Sequence, residues 1–294
     1  MKLILHLGLS YACNMKCKHC FVNKSKDRFD IERIKQVISY LVESQGLFVL
    51  YYTYGEPFLS GHFETIQNFC KNLGLIQIVM SNGSIISDED CNNLVKNGID
   101  RVYISIDSCF PDKHDLNRGV DGAFDSAIRS IALLNSKKIR TGIATTVNEN
   151  NANEIYGIAS LADSLNISSL SLLRQRNFSG VVAVPDHCEY YSFFEDYISN
   201  PRHFGLFVHD SSLNPIVKNA LINGLISFQD YEKWTEMNLC HANTTVSIAP
   251  NGDVYSCNLF GNVVSNIYEY DIEEIIGSLD DENFVCCTKF PGTC

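Results

Sequence analysis

DIERIKQVISYLVESQGLFVLYYT, residues 30–53, holds the two patterns on which the fold turns. Ile31, Ile34, Val37, Ile38 and Leu41 recur at three- and four-residue spacing, which places them on one face of a helix. LFVLYYT, residues 47–53, follows as an apolar run of strand length. Upstream, LILHLGLS at 3–10 reads as another strand, so the chain opens as strand, helix, strand. Such a crossover is right-handed and lays the two strands parallel.

The same rhythm continues downstream. HFETIQNFCKNLG (62–74) is a helix stopped by Gly74, and LIQIVM (75–80) is a strand. SDEDCNNLVKNG (87–98) is a helix opened by a Ser87/Asp90 capping box and stopped by Gly98. Strand DRVYISID (100–107), helix GAFDSAIRSIALLNS (122–136), strand IRTGIATTV (139–147), helix NANEIYGIASLADSL (151–165) and strand ISSLSLL (167–173) complete six β/α units. Six units fall short of a closed eight-unit barrel, so the expected α/β fold is an open, partial (β/α)6 TIM-like barrel over residues 1–175. From Arg174 to Asn238 the pattern loosens into an aromatic-rich segment, read as a bridge over 176–238. Residues 239–294 then carry a small hairpin-plus-helix domain: two short strands around Pro250-Asn251-Gly252 and a helix near YEYDIEEIIGSL.

With 294 residues and a hydrophobic fraction of 45%, the chain has ample material for a packed core. The net charge of −11, without a Lys/Arg cluster, argues against a nucleic-acid partner. No window is apolar enough to span a membrane, and the first apolar run is interrupted by His6 and Gly8, so a signal peptide is not expected either. A cytoplasmic, reducing compartment follows, where clustered cysteines serve as metal ligands or redox groups rather than disulfides.

The densest of the twelve cysteines form CNMKCKHC, with Cys13, Cys17 and Cys20 on the loop after the first strand. Three thiols so spaced can converge on one face of a cubic iron–sulfur cluster and leave its fourth iron without a protein ligand. The competing readings are a zinc site, which closes with four N/S ligands, and incidental buried cysteines. His19 is poorly placed to complete a zinc tetrahedron because it adjoins Cys20.

The CxxxCxxC spacing resembles the signature of radical S-adenosylmethionine (radical SAM) enzymes. Where that family carries Gly-Gly-Glu-Pro after the second strand, this chain reads Tyr54-Gly55-Glu56-Pro57, with Tyr54 departing from the common glycine. Ser81-Asn82-Gly83 looks like the family's Thr-Asn-Gly turn, and Ser105 and Asp107 resemble the polar pair that reaches the cofactor's ribose and carboxylate. Arg174 resembles an arginine that meets a cofactor or substrate carboxylate, with a plain surface arginine as the alternative. Each turn is unremarkable alone; their order at successive strand ends carries the signal. The resemblance implies a 4Fe–4S cluster on Cys13, Cys17 and Cys20, whose open iron chelates S-adenosylmethionine. The reduced cluster splits the sulfonium, and a 5′-deoxyadenosyl radical abstracts hydrogen from substrate. It also implies an electron donor such as a flavodoxin or ferredoxin.

Cys240 and Cys257 bracket the hairpin as Cys-x11-Gly252-x4-Cys, which resembles the opening of SPASM and twitch domains. A full SPASM domain uses seven cysteines for two clusters, and five follow residue 239 here. The resemblance therefore implies one auxiliary 4Fe–4S cluster on Cys240, Cys257, Cys294 and one of Cys286 and Cys287. Phe290, where the longer motif has another cysteine, argues against a second auxiliary cluster. Cys70 and Cys91 sit in helical patterns as packing residues, and Cys109 and Cys188 read as hydrogen-atom donors or ordinary thiols.

Enzymes of this build modify ribosomally made peptides by crosslinking, thioether formation or epimerisation, which is the favoured reading. The alternatives are a dehydrogenase for a small alcohol or sugar-like metabolite, and a non-enzymatic iron–sulfur sensor. The aromatic bridge from Phe178 to Phe207 favours the peptide, while Asn258, at a position where some relatives carry an aspartate, removes a general base. No module for binding a leader peptide is expected ahead of the barrel.

Overall fold

In the computed structural model of the chain, which describes residues 3–20, 22, 25–177, 180, 181, 188–210, 213–238, 245–255 and 263–280, the stretch at 30–53 forms the helix and strand its pattern predicts. The Asp30 side chain accepts hydrogen bonds from the Glu32 and Arg33 amides and starts α1 (Ile31–Gln45). Gly46, at φ 66°, stops it in the left-handed conformation. Ile34, Val37, Ile38 and Leu41 are buried, each gaining roughly 1.5–3 kcal/mol of transfer free energy before ordering costs.

Strands β1 (Leu3–Gly8), β2 (Leu47–Thr53), β3 (Ile76–Ser81), β4 (Arg101–Ser105), β5 (Thr141–Val147) and β6 (Ser169–Arg174) pair in sequence order, all parallel. Helices α2 (Phe63–Asn72), α3 (Asp88–Lys96), α5 (Ala123–Ser136) and α6 (Ile155–Ser164) fill the crossovers as expected, and Ser87 and Asp90 make the capping box of α3. A further helix, α4 (Pro111–Arg118), stands between β4 and α5. The loose segment contributes a short antiparallel pair, β7 (Arg176–Asn177) and β8 (Gly180–Val181), then α7 (Glu189–Ser199), β9 (Gly205–His209), α8 (Asn214–Ile222) and α9 (Phe228–Asn238). β9 joins β6 in parallel, so this segment extends the sheet.

At the other margin β10 (Thr245–Ile248) pairs in parallel with β1, Ser247 opposite His6. β10 also forms the expected hairpin with β11 (Asp253–Tyr255), and β12 (Ser265–Asn266) adds to it before α10 (Ile272–Asp280). The hairpin and the barrel thus share one sheet, ordered β12-β11-β10-β1-β2-β3-β4-β5-β6-β9.

Buried helix residues share a single cluster with Leu5, Leu7, Leu50, Tyr52, Val79, Ile104, Ile143 and Leu170 of the strands. The alternate strand residues Val49, Ile78, Tyr103 and Ala144 form a second cluster, backed by Ile4, Phe48, Tyr51 and Met80, with no helix residue in it. Helices on one face and a strand-only cluster on the other describe a sheet curled as a barrel, not one wound on both sides. Cys70 and Cys91 are fully buried in the main core, and Cys188 joins them; burial raises the Cys70 thiol to about 12 and the Cys91 thiol to about 11.

Candidate active site at the carboxyl edge of the sheet

The loop carrying Cys13, Cys17 and Cys20 leaves β1 and is tied down on three sides. Asp27 receives the Ser10 hydroxyl at 2.5 Å and the Tyr11 amide at 2.9 Å. The Ala12 carbonyl accepts the Glu56 amide at 2.7 Å. That approach requires glycine at 55: φ is +42°, and a Cβ there would meet Ser10 O at 2.4 Å and Ala12 O at 2.5 Å. On the third side the Lys16 and Lys18 amides donate to the carbonyls of Arg118 and Asn117, each at 2.9 Å. Gly119 allows this contact, since its Cβ would lie 2.8 Å from Lys16 O.

Glu56 and Pro57 follow β2, and Glu56 is 1% exposed. Its carboxylate accepts the Ser81 hydroxyl at 2.9 Å, the Asn82 amide at 2.8 Å and the Phe58 amide, capping the short 3-10 turn Pro57–Leu59. Burial lifts its pKa to about 7 against these donors. Glu56 therefore clamps the turn after β2 to the turn after β3, with its carboxylate occupied by protein donors. Asn82 Nδ2 donates to Asn14 Oδ1 at 2.9 Å and lies 4.0 Å from Cys13 Sγ.

Asp107, past the end of β4, is 2% exposed. It pairs with Arg118 at 2.7 Å, accepts Asn117 Nδ2 at 2.8 Å and the Thr146 amide at 3.0 Å, and lies 3.7 Å from His19 Nδ1. Burial pushes its carboxyl up, but Arg118 and His19 together with the Thr146 amide outweigh this and hold it below the ordinary range. Burial and Arg118 keep His114 neutral, down to about 4, and its Nδ1 accepts the Asp107 amide. Arg118 also donates to Cys17 Sγ at 3.6 Å, countering the burial that raises that thiol. Asn14, His19, His114, Asn117 and Arg118 were not read as site residues. Pro111 at the start and Gly119 past the end of α4 were the available signal for the helix that brings three of them.

Tyr54 holds the left-handed conformation at φ 57° without being glycine. Its hydroxyl lies 3.0 Å from Ser247 Oγ on β10 and its ring packs edge-on to Tyr11, whose hydroxyl donates to Asn251. The residue that departs from the family glycine thus fastens the barrel to the hairpin. Ser105 is half-buried at the end of β4. Arg174 ends β6, and its guanidinium pairs with Asp210 at 2.9 Å beside Tyr190 and Tyr191. Cys240, Cys257, Cys286, Cys287 and Cys294, with Asn258 and Phe290, lie outside the described residues.

Among the described residues no three His, Cys, Asp or Glu side chains gather around one ion. A cubane spreads its thiolates over separate irons, so three thiols on one loop suit that group, whereas a structural zinc closes with four ligands. Asn82 Nδ2 lies 4.0 Å from Cys13 Sγ, Arg118 donates to Cys17 Sγ, and the Arg118 Nε–H is buried without a partner among the described residues, so the loop keeps N–H donors beside its sulfurs as a thiolate-held group requires.

Fold and site together define a (β/α) barrel protein with a thiol loop at the carboxyl edge of its sheet. The Radical SAM superfamily model matches residues 8–162, and the chain belongs to that superfamily. Membership carries with it a 4Fe–4S cluster and S-adenosylmethionine. Over 159 residues the chain is 26% identical to the Fe-coproporphyrin III synthase of Methanosarcina barkeri (strain Fusaro / DSM 804), covering 53% of the chain and 40% of that protein. Over 281 residues it is 26% identical to the antilisterial bacteriocin subtilosin biosynthesis protein AlbA of Bacillus subtilis (strain 168), covering 92% of the chain and 58% of that protein. The fold is similar to that of Streptococcus suis SuiB bound to precursor peptide SuiA, with a TM-score of 0.73 at 18% identity, over 96% of the chain and 65% of SuiB. The chain spans about two fifths of the first of these relatives and under two thirds of the others.

Proposed function

We propose that the chain is a peptide-modifying radical SAM enzyme that crosslinks, thioether-links or epimerises a ribosomally made precursor. The observation carrying this reading is the extent of similarity. The match to the porphyrin-named relative spans about half the chain, whereas the match to AlbA, a bacteriocin biosynthesis protein, runs over 92% of it, beyond the barrel. Among the described residues no helix is long and apolar enough to cross a membrane, and the reading places the enzyme in the cytoplasm.

Cys13, Cys17 and Cys20 hold the cluster in this reading, and Tyr54, Gly55, Glu56, Pro57, Ser81, Asn82, Ser105, Asp107 and Arg174 shape the cofactor site. When bound, the reduced cluster supplies the electron that cleaves S-adenosylmethionine to a 5′-deoxyadenosyl radical. The protein's part is rigidity. Glu56 locks two turns, Asp107 locks α4 to β4 and β5, and the turns' backbone groups stay fixed around the thiol loop. An auxiliary 4Fe–4S cluster on Cys240, Cys257, Cys294 and Cys286 or Cys287, and a flavodoxin or ferredoxin donor, complete the proposal.

The test is anaerobic reconstitution, reduction with dithionite and addition of S-adenosylmethionine together with the product of a short reading frame neighbouring the gene. Formation of 5′-deoxyadenosine with a mass change in the peptide is expected; absence of 5′-deoxyadenosine refutes the enzyme reading. Roughly eight irons per chain, falling to four when Cys13, Cys17 and Cys20 are all replaced by alanine, is the expected cluster count. An unchanged iron content in that variant refutes the assignment.

A further inference from the structure

We propose that Arg118 sets the reduction potential of the cluster held by Cys13, Cys17 and Cys20, with Asp107 as the counter-charge that limits its effect. The inference rests on the thiol-loop assignment proposed above. Arg118 is 6% exposed, and a guanidinium so buried interacts strongly with any charge beside it. One nitrogen donates to Cys17 Sγ at 3.6 Å, another pairs with Asp107 at 2.7 Å, and the buried Nε–H has no partner among the described residues.

Packing holds the group there independently of any cluster. The Arg118 carbonyl receives the Lys16 amide, Gly119 lies under Lys16 O, and the Asp107 side chain is fixed by Asn117 and the Thr146 amide. The backbone contact fixes residue 118 against the thiol loop, and the pairing with Asp107 holds its guanidinium beside Cys17.

Reduction adds one electron, delivered by the low-potential donor, and no bond in the protein changes. The added negative charge lies beside a cation and its N–H donor, which stabilise the reduced form more than the oxidised one and raise the potential. Asp107 partly neutralises that cation and lowers the potential again. The two members of one ion pair therefore act in opposite directions, which a purely structural role would not produce.

The whole chain and its Arg118→Gln, Arg118→Lys and Asp107→Asn variants are reconstituted and assayed for iron. Each is then titrated electrochemically while following the paramagnetic signal that responds to added S-adenosylmethionine. Arg118→Gln is expected to lower the reduced-to-oxidised ratio at fixed poise about tenfold, a midpoint about 59 mV more negative for a one-electron couple. Asp107→Asn is expected to raise it, and Arg118→Lys to fall between wild type and Arg118→Gln. Shifts of the same sign in Arg118→Gln and Asp107→Asn, or none in either, overturn the inference. Should Arg118→Gln lose its iron, Asp107→Asn decides alone: a rise supports the inference, and a fall or no change refutes it. A wild-type protein without the S-adenosylmethionine-responsive signal refutes the cluster assignment itself, and this inference with it.

Discussion

Replacing Gly55 by alanine tests how the thiol loop is held. At φ +42° an alanine costs about 1 kcal/mol more than glycine. Its Cβ would lie 2.4 Å from Ser10 O and 2.5 Å from Ala12 O, both backbone atoms, so the loop itself must move. That movement stretches the 2.7 Å hydrogen bond from the Glu56 amide to Ala12 O, worth about 1 kcal/mol net, and adds overpacking of at least about 1 kcal/mol. The sum is about 3 kcal/mol, or about 6 °C in melting temperature for a chain of this size. Gly61, whose Cβ would meet nothing within 4 Å, is the control, and Gly61→Ala should stay within about 0.5 kcal/mol of wild type. Thermal melts of the three proteins, with iron content after reconstitution, are the assay. If Gly55→Ala melts with Gly61→Ala and retains full iron, the close approach does not hold the loop and the reasoning fails.

Glu56 makes stability pH-dependent. Its folded pKa is about 7 against an ordinary 4.5, so between those values the folded chain keeps a proton that the unfolded chain has released. The contribution is fully present below pH 4.5 and is lost as the pH rises through about 7, a change of about 3 kcal/mol. Denaturant titrations across this range should show Glu56→Gln with a flatter profile than wild type; an identical slope would show that other groups set it. Tyr54→Phe removes the hydroxyl facing Ser247 and keeps the left-handed backbone, so it should lose about 1 kcal/mol in the same assay, and no loss would mean that this contact contributes nothing.

The six β/α units were legible because their apolar spacing is local: the stripe of α1 and the run of β2 are visible within 24 residues. The turns of the site were legible because they fall at strand ends in order, and the chain belongs to the family their spacing resembles. α4 was not legible as an element because its buried side chains are His114 and Arg118, polar groups that make no apolar stripe. β9 escaped because GLFVH is short and lies within an aromatic-rich stretch that gave no alternation.

What the sequence by itself determined is the kind of chemistry and the order of its parts: three thiols, a glycine and glutamate turn, an asparagine turn and an aspartate, each after a successive strand. Tertiary structure alone decided which partners these groups take. Glu56 is closed around Ser81 and Asn82, Asp107 around Arg118, and Arg174 around Asp210. Tyr54 spans to a strand nearly two hundred residues downstream, across the parallel pairing of β10 with β1. The physical reason is that a buried charge must find a partner wherever the fold brings one within hydrogen-bonding distance, and that partner's place in the chain leaves no local pattern to read.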